Sequence, residues 1–258
     1  MNTIPSYLIA IILLAGIVLF YLLGLAIGSY QKRNNPDAKA EGVGPLESSL
    51  LGLLALLLSF TFSMSASRYD VRRSLIVTEA NNISTAIVRA DLYPDTIRTA
   101  FRKDLKQYVD TRIAYYEVGN DDEKIKKERL KAEVILSRLW QRATRLSVAS
   151  PAVVRDNQMI PALNSMGDMV TSRDAARVAT VPDSIITLLV ILTLLGSFII
   201  GYCKKEKKND WVMFSIYTIM MVVTIYTIID LDRPRTGFIT TDKTHMKMLE
   251  LREMFDQQ

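Results

Sequence analysis

The stretch SSLLGLLALLLSFTFSMSAS, Ser48–Ser67, is an uncharged run that continues directly into RYDVRR, Arg68–Arg73, and then into EANNISTA, Glu79–Ala86. The uncharged run has about the length, roughly 20 residues, that an α-helix needs to cross a hydrocarbon core about 30 Å thick. No proline interrupts the sequence from Ser48 to Arg89. We therefore predict one long helix that crosses a membrane and continues beyond it, with the change at Arg68.

The apolar residues of the whole chain fall into four blocks. Of the 258 residues, 49% are hydrophobic, and the 23% that are charged concentrate between the second and third blocks. This distribution is typical of an integral membrane protein with one hydrophilic insert. We predict an all-α protein with four transmembrane helices and one helical extramembrane domain between the second and third spans. The predicted parts are spans 1 and 2 with a short polar loop (1–67), the extramembrane domain (68–183), spans 3 and 4 (184–230) and a charged C-terminal tail (231–258).

A lysine-rich loop predicts the orientation of these spans. Residues 204–210, KKEKKND, separate the third and fourth blocks, and lysine and arginine in short loops stay in the cytoplasm. The loop at 30–47, which carries Lys32 and Arg33, falls on the same side by helix parity. We predict a multi-pass protein of the bacterial inner membrane, with both short loops cytoplasmic and the helical domain and both termini external. The arginines near Arg68 and Arg233 weigh against this orientation, because they lie on the external side.

The sequence offers little material for catalysis or metal binding. Cys203 is the only cysteine and His245 the only histidine, so one chain has neither a disulfide framework nor a Cys/His zinc site. A Ser-His-Asp arrangement would need His245, which lies in a charged segment without a serine motif. We expect a protein that is not an enzyme and that uses no cofactor, no metal and no nucleic-acid partner.

Two stripes along the second helix are candidates for a pore. The hydroxyl stripe changes from apolar through hydroxyl to cationic and consists of Leu54, Leu58, Thr61, Ser65, Arg68, Arg72, Leu75, Glu79, Asn82, Ala86 and Arg89. Around an axis, its first six residues would supply a constriction, a polar stretch and an arginine ring, and they are the pore-lining candidates. The small-residue stripe suits close helix packing and consists of Ser48, Gly52, Ala55, Ser59, Ser63 and Ala66. The sequence leaves open which stripe faces an axis, or whether both only pack the four-helix bundle.

Charged residues gather where the second and fourth spans end, and by parity both ends emerge on the same side. Carboxylates and guanidiniums at a membrane surface pair favourably, because desolvation and bidentate geometry strengthen them. We predict pairing among Arg68, Asp70, Arg72, Arg73, Glu79, Asp230, Asp232, Arg233 and Arg235. The cluster is either a structural clamp between the two spans or a charged vestibule or ligand site.

Further polar residues lie on otherwise apolar helices of the insert. Such residues need hydrogen-bond partners when they are buried. We expect Asn164 or Asp168 to contact the first insert helix near Asn81 and Asn82.

Four groups of residues carry a resemblance to a known family. They are Phe62–Arg73, Glu79–Ala86 followed by Arg89–Leu92, Asn164–Asp168 with Arg173, and Asp230–Gly237. These segments are similar to the motifs of a bacterial membrane family labelled DUF4239, or bestrophin-like. The resemblance covers nearly the whole chain and implies a homo-oligomeric ion channel, such as a pentamer, whose second helix lines the pore.

Two functions fit these features. The first is a bestrophin-like channel for small ions, anions favoured, whose partners are the lipid bilayer and other copies of the chain. The second is a non-conducting membrane scaffold or sensor, whose helical domain binds an envelope component or a protein partner.

Overall fold

The computed structural model describes residues 5–34, 43–149, 153–203, 211–233, 235 and 237–256, and these residues include helices but no β-strand. The prediction of an all-α fold is therefore confirmed. The lysine-rich loop at 204–210 and most of the 30–47 loop lie outside the described residues. The helices are α1 (Ser6–Asn34), α2 (Val43–Arg89), α3 (Asp95–Glu117), α4 (Asp122–Ala149), α5 (Val153–Val178), α6 (Asp183–Tyr202), α7 (Trp211–Asp232) and α8 (Asp242–Glu250).

Four helical segments are long and apolar enough to cross a membrane, as the sequence predicts. They are α1, α2, the segment that ends with α6, and α7. Helix α2 is continuous from its apolar half into its charged half, and its one proline, Pro45, lies in its first turn, where proline is tolerated. A short 3-10 turn at Ala90–Leu92 follows it, and Pro94 then precedes α3. A proline disfavours helical backbone at the residue before it, which explains why the chain turns here.

The chain divides into two compact units. Unit 1 comprises Met1–Arg68 and Thr180–Arg233, and unit 2 comprises Tyr69–Ala179 and Pro234–Gln258. Of the residues predicted as a charged tail, 231–233 belong to unit 1 and 234–258 to unit 2. Helix α8 buries Met248 and His245, and Leu251 just after it also packs into the unit 2 core. A helix this short is held by such packing rather than by its own propensity.

Unit 1 has a continuous apolar interior. Ile17, Leu54 and Leu189 are fully buried, and the ring of Tyr21 stacks on Phe214 with centroids 3.7 Å apart. Many large apolar side chains stay exposed on its outside, among them Ile12, Leu53, Leu56, Phe60, Val212, Met213 and Ile219. An apolar surface of this extent fits contact with lipid or with another subunit.

Glycines bring α1 and α6 into close contact. A Cβ atom at Gly24 would overlap the backbone oxygen of Phe198, and one at Gly28 would lie 2.6 Å from the backbone oxygen of Tyr202. On the facing helix, a Cβ at Gly201 would overlap the backbone oxygen of Tyr21. Small residues permit this approach of two helix backbones, which is a common way of packing membrane helices.

Unit 2 packs the second half of α2 with α3, α4, α5 and α8. Phe101, Tyr108, Leu139, Met166 and Met248 are fully buried in its core. Asp104 on α3 also accepts hydrogen bonds from two arginines of α4, at 3.1 Å from Arg138 and 2.7 Å from Arg142. The predicted helical insert is thus a bundle that the C-terminal segment completes.

Replacing Gly24 by alanine is expected to destabilise unit 1 by about 1–3 kcal/mol, the usual cost of overpacking, because the new methyl group meets backbone atoms. The measurement is the thermal unfolding temperature of the full chain in detergent. Gly52→Ala is the matched control, since a Cβ at Gly52 meets no atom within 4 Å. Equal unfolding temperatures for the two variants would contradict the close α1–α6 contact.

Candidate functional site

The most highly charged buried site in unit 2 is centred on Glu79 of α2. The side chains of Glu79 and Arg112 are 0% exposed and that of Arg173 is 6% exposed. Arg112 Nε on α3 donates to Glu79 Oε1 at 2.5 Å, and Arg173 Nη1 on α5 donates to Glu79 Oε2. One carboxylate therefore binds two guanidiniums, and the group carries an excess of positive charge.

The charged state of Arg112 depends on this pairing. Burial by itself lowers the pKa of Arg112, but the Glu79 carboxylate beside it outweighs burial and raises that pKa above its usual value. A buried charge that is paired and hydrogen-bonded escapes most of the cost of leaving water. The two terminal nitrogens of Arg112, Nη1 and Nη2, nevertheless have no hydrogen-bond acceptor among the described residues.

Three guanidiniums surround the ring of Tyr115, a fully buried side chain of α3. The guanidinium carbons of Arg112, Arg235 and Arg173 lie 4.4, 4.7 and 5.6 Å from the ring centroid. The electron-rich face of an aromatic ring attracts cations at these distances. The Tyr115 hydroxyl donates to Asp174 at 3.3 Å, so the ring is fixed by a polar contact as well as by the cations.

A cavity of about 40 Å³ lies beside this cluster, entirely within unit 2. Its lining contains four arginines and no carboxylate: Arg72, Leu75, Ile76, Tyr115, Tyr116, Arg173, Ala176, Arg177, Arg235 and Thr241. Arg177 pairs with Asp174 at 3.1 Å and with Asp122 at 3.0 Å. Arg235 donates to the backbone oxygen of Gly119 at 2.8 Å.

The environment of Arg235 is unfavourable for a cation. Burial first, and then the positive charges of Arg173 and Arg177, lower the pKa of Arg235, whereas the nearby Tyr115 raises it. No described carboxylate forms an ion pair with Arg235. The cavity is consequently an electropositive site that is suited to a negative ligand.

His245 lies close to this site, on α8. Its ring stacks on Tyr116 with centroids 4.0 Å apart, and neither ring nitrogen has a hydrogen-bond partner among the described residues. Burial, followed by the charge of Arg173, lowers the pKa of His245 to about 4, although Asp242 acts in the opposite direction. His245 is therefore neutral at pH 7 and adds no charge to the cluster.

The second half of the hydroxyl stripe faces α5 of the same chain. Arg72 donates to the backbone oxygens of Ala176 at 2.9 Å and Ala179 at 2.6 Å, where the carbonyl groups at a helix C-terminus lack intrahelical partners. Further along the stripe, Asn82 donates to the backbone oxygen of Ser165 at 3.3 Å. Arg89 donates to that of Gln158 at 2.5 Å. With Glu79 and its arginines, these contacts hold α2 and α5 in one antiparallel register.

A family model described as a bestrophin-like domain matches residues 9–246. The chain belongs to the bestrophin-like family. This confirms the resemblance predicted from the sequence motifs. With its four apolar helices, this bestrophin-like chain is a multi-pass membrane protein.

Solved structures of a bacterial bestrophin homologue from Klebsiella pneumoniae are similar to this bestrophin-like chain. Two point variants of that homologue have TM-scores of 0.71 and 0.70 at 15% sequence identity, covering 96% of this chain and 99% and 97% of the other. A third structure of it, solved by Zn-SAD phasing, has a TM-score of 0.64 at 17% identity and covers 96% of this chain and 99% of the homologue. At this identity the similarity supports the fold alone. No curated protein matches the chain.

The predicted charge cluster is distributed over both units of the bestrophin-like chain. Asp70, Arg72, Arg73, Glu79 and Arg235 belong to unit 2, whereas Arg68, Asp230, Asp232 and Arg233 belong to unit 1. Among the described contacts, Arg73 pairs with Asp70 at 3.7 Å on the exposed surface.

Several of the predicted charges bind groups outside the predicted cluster. Glu79 binds Arg112 and Arg173 rather than an arginine of the predicted cluster. Arg68 donates to the backbone oxygen of Thr180 at 2.7 Å. Asp232 accepts a hydrogen bond from the backbone nitrogen of Val181 at 2.9 Å, which joins the end of α7 to the start of α6.

The predicted contact of Asn164 or Asp168 with α2 stays a prediction. Asn82 does contact α5, but through the backbone oxygen of Ser165. Asn81, Asn164 and Asp168 are exposed, so their side chains have water as a partner and need none from the protein.

The pore-lining candidates from unit 1 are mostly inside the chain. Leu54, Leu58, Thr61 and Ser65 are buried, whereas Arg68 is half-buried. Thr61 donates back to the oxygen of Leu57 at 2.7 Å. In this conformation the four buried residues pack against their own chain, which argues against direct contact with ions. The small-residue stripe is exposed from Ser48 to Ser63, and Ala66 is half-buried.

Sequence reasoning missed Arg112, Tyr115 and Arg177 as site residues. Arg112 had a detectable signal, because it continues the apolar spacing of Leu105 and Tyr108 along the buried face of α3. A charged residue at such a position needs a buried partner. No comparable signal identifies Tyr115, whose role depends on arginines from other parts of the chain. Among the described residues no group of His, Cys, Asp and Glu is arranged to hold a metal ion.

Replacing Glu79 by glutamine is expected to destabilise unit 2 by about 3–5 kcal/mol, because two buried guanidiniums lose their carboxylate. The measurement is loss of helical circular dichroism with temperature or denaturant, in detergent. Asp70→Asn is the control, since it removes an exposed pair whose contribution is about 0–1 kcal/mol. A Glu79→Gln protein as stable as the Asp70→Asn protein would show that the buried carboxylate contributes nothing.

Proposed function

We propose that this chain assembles into a homo-oligomeric ion channel of the bestrophin type in the bacterial inner membrane, with small anions favoured. The observation that carries the proposal is the bestrophin-like match over residues 9–246, on a fold that is similar to bestrophin homologues over 96% of the chain. Channels need an uncharged or selectively charged path through the membrane core, and only helices can provide its backbone here.

The small-residue stripe of α2 is the surface that we assign to the axis. Ser48, Gly52, Ala55, Ser59 and Ser63 are exposed, although they lie in a helix whose opposite face is buried. Hydroxyl groups and small side chains leave room for ions when several copies surround an axis, and they offer weak polar contacts that an ion can leave again. At the same alternating spacing of three and four residues, the stripe continues beyond Ser63 to Asp70 and Arg73.

The apolar surface of unit 1 supports the membrane part of the proposal. Leu53, Leu56 and Phe60 are exposed beside the small-residue stripe. They suit lipid or the neighbouring subunit, whereas the serines suit an aqueous path. Because the small residues and the large apolar residues occupy two different exposed faces of α2, substitutions on the two faces can be compared.

Purified full chain in liposomes is expected to pass chloride or nitrate, and Ser59→Trp is expected to reduce that flux at least about tenfold by narrowing the path. Phe60→Trp is the matched control, because it places the same side chain on the adjacent exposed face, and its flux should stay near the wild-type value. Absence of anion and cation flux at any tested pH or voltage would exclude the channel and favour a scaffold or sensor. Equal flux in both variants would exclude the small-residue stripe as the path.

Cys203 provides a test of the proposed orientation, in which the loop at 204–210 is cytoplasmic. This only thiol of the chain lies at the C-terminal end of α6, next to that loop. A membrane-impermeant maleimide should leave it unlabelled in intact spheroplasts and label it after permeabilisation. Labelling of intact spheroplasts would reverse the orientation and place the helical domain in the cytoplasm.

A further inference from the structure

The cavity beside Tyr115 has an electropositive lining. Its lining holds four guanidiniums and no carboxylate. The nearest buried carboxylate, Glu79, already binds both Arg112 and Arg173. Close positive charges in a partly desolvated site repel each other, and a bound anion relieves that repulsion.

Arg235 is a lining arginine whose N–H donors are only partly used by hydrogen bonds within the protein. Its described hydrogen bonds go to neutral groups, the backbone oxygen of Gly119 and the side chain of Tyr115, and a guanidinium has five N–H donors. No described carboxylate pairs with it, whereas Arg177 has both Asp174 and Asp122. Arg235 stays in place because its guanidinium packs over the ring of Tyr115, 4.7 Å from the centroid.

The remaining polar groups of the lining supply no negative charge. Thr241 donates its hydroxyl to the Tyr116 oxygen at 3.1 Å, and Tyr116 donates to Asp242 at 2.6 Å. Burial and this hydrogen bond to Asp242 raise the pKa of Tyr116 to about 12, so the phenol is neutral at pH 7. His245, stacked on Tyr116, is also neutral at this pH.

The size of the cavity limits what it can hold. About 40 Å³ is more than the roughly 10–15 Å³ that one water molecule requires. A monatomic halide or a similarly small anion fits this space.

We propose that the cavity of unit 2 binds one small monovalent anion, such as chloride, held by Arg235 beside Arg173 and Arg177. The bound anion completes the charge balance of the cluster and stabilises the packing of α2, α3, α5 and the segment before α8. This role goes beyond conduction and does not depend on it, because every lining residue belongs to unit 2 and the effect is on stability.

The test uses the full chain in detergent, with the thermal unfolding temperature followed while sodium chloride replaces sodium gluconate at constant total sodium. We expect a saturable rise with chloride, because a ligand that binds only the folded state stabilises it by mass action. General salt effects on apolar burial give a gradual, unsaturated change instead. Arg235→Gln should weaken the apparent affinity by about tenfold or more, as expected for one charge-assisted hydrogen bond.

Arg252→Gln is the matched control, because it removes one positive charge from an exposed arginine of unit 2 that pairs with Asp110. It should keep the wild-type midpoint for chloride. The proposal is overturned when gluconate and chloride give the same curve, or when Arg235→Gln keeps the wild-type midpoint.

Anomalous diffraction from wild-type crystals in bromide gives a second measurement that needs no variant. A bromide peak between Arg235 and Arg173 supports the site even when Arg235→Gln fails to fold. Absence of that peak at a bromide concentration that saturates the thermal response overturns it. A lack of ion flux in liposomes affects neither result, so failure of the channel and failure of this site are distinguishable.

Discussion

The buried carboxylate of Glu79 sets the arrangement of unit 2, because it binds guanidiniums from two other helices that are distant in sequence. Arg112 is 33 residues away and Arg173 is 94 residues away. A charge buried without its partner is far more costly than a lost apolar contact, so packings in which one of the three side chains is displaced are disfavoured. Rotation of α2 by one residue would turn Glu79 by about 100° away from both arginines. The same register places Arg72, two turns earlier, against the last carbonyl oxygens of α5.

The helices themselves follow from local sequence, which is why they were predictable. Apolar runs long enough to span and the absence of proline determine α1, α6, α7 and the long α2, whatever the rest of the chain does. The C-terminal segment is different. Between Asp242 and Glu250 the sequence is mostly polar, and only the packing of Met248 and Leu251 against distant helices makes it part of unit 2. Composition alone therefore predicts that this segment is a separate charged tail.

For the candidate site, the sequence predicts some of the polar positions but not the residues that they bind. Periodicity identified Glu79 and Asn82 as polar positions on an otherwise apolar helix, and in the structure both lie on the face of α2 that contacts α5. For Glu79, nearness to the membrane end of the helix predicts a partner among the arginines there, such as Arg68 or Arg233. The observed partners of Glu79 come from α3 and α5, and a one-dimensional pattern contains no distance between helices. Charge signs show that a pair is needed, but packing decides which pair forms.

The spacing of residues along a helix also does not show which of its faces is covered by other parts of the protein. The choice of a pore-lining stripe on α2 depends on that information. The hydroxyl stripe has the changing polarity of a pore lining, yet its first half packs inside unit 1 and its second half contacts α5. Ser65 illustrates the point, since its side chain is fully buried within its own chain. The small-residue stripe lacks this change in polarity, but it is exposed. Because it is uncharged in the spanning part, any preference for anions has to arise from charged residues outside that part, where Arg73 is offset by Asp70 at 3.7 Å. On the axis that we propose, ion selectivity would depend on the balance of that exposed pair, and conduction on the small residues that precede it.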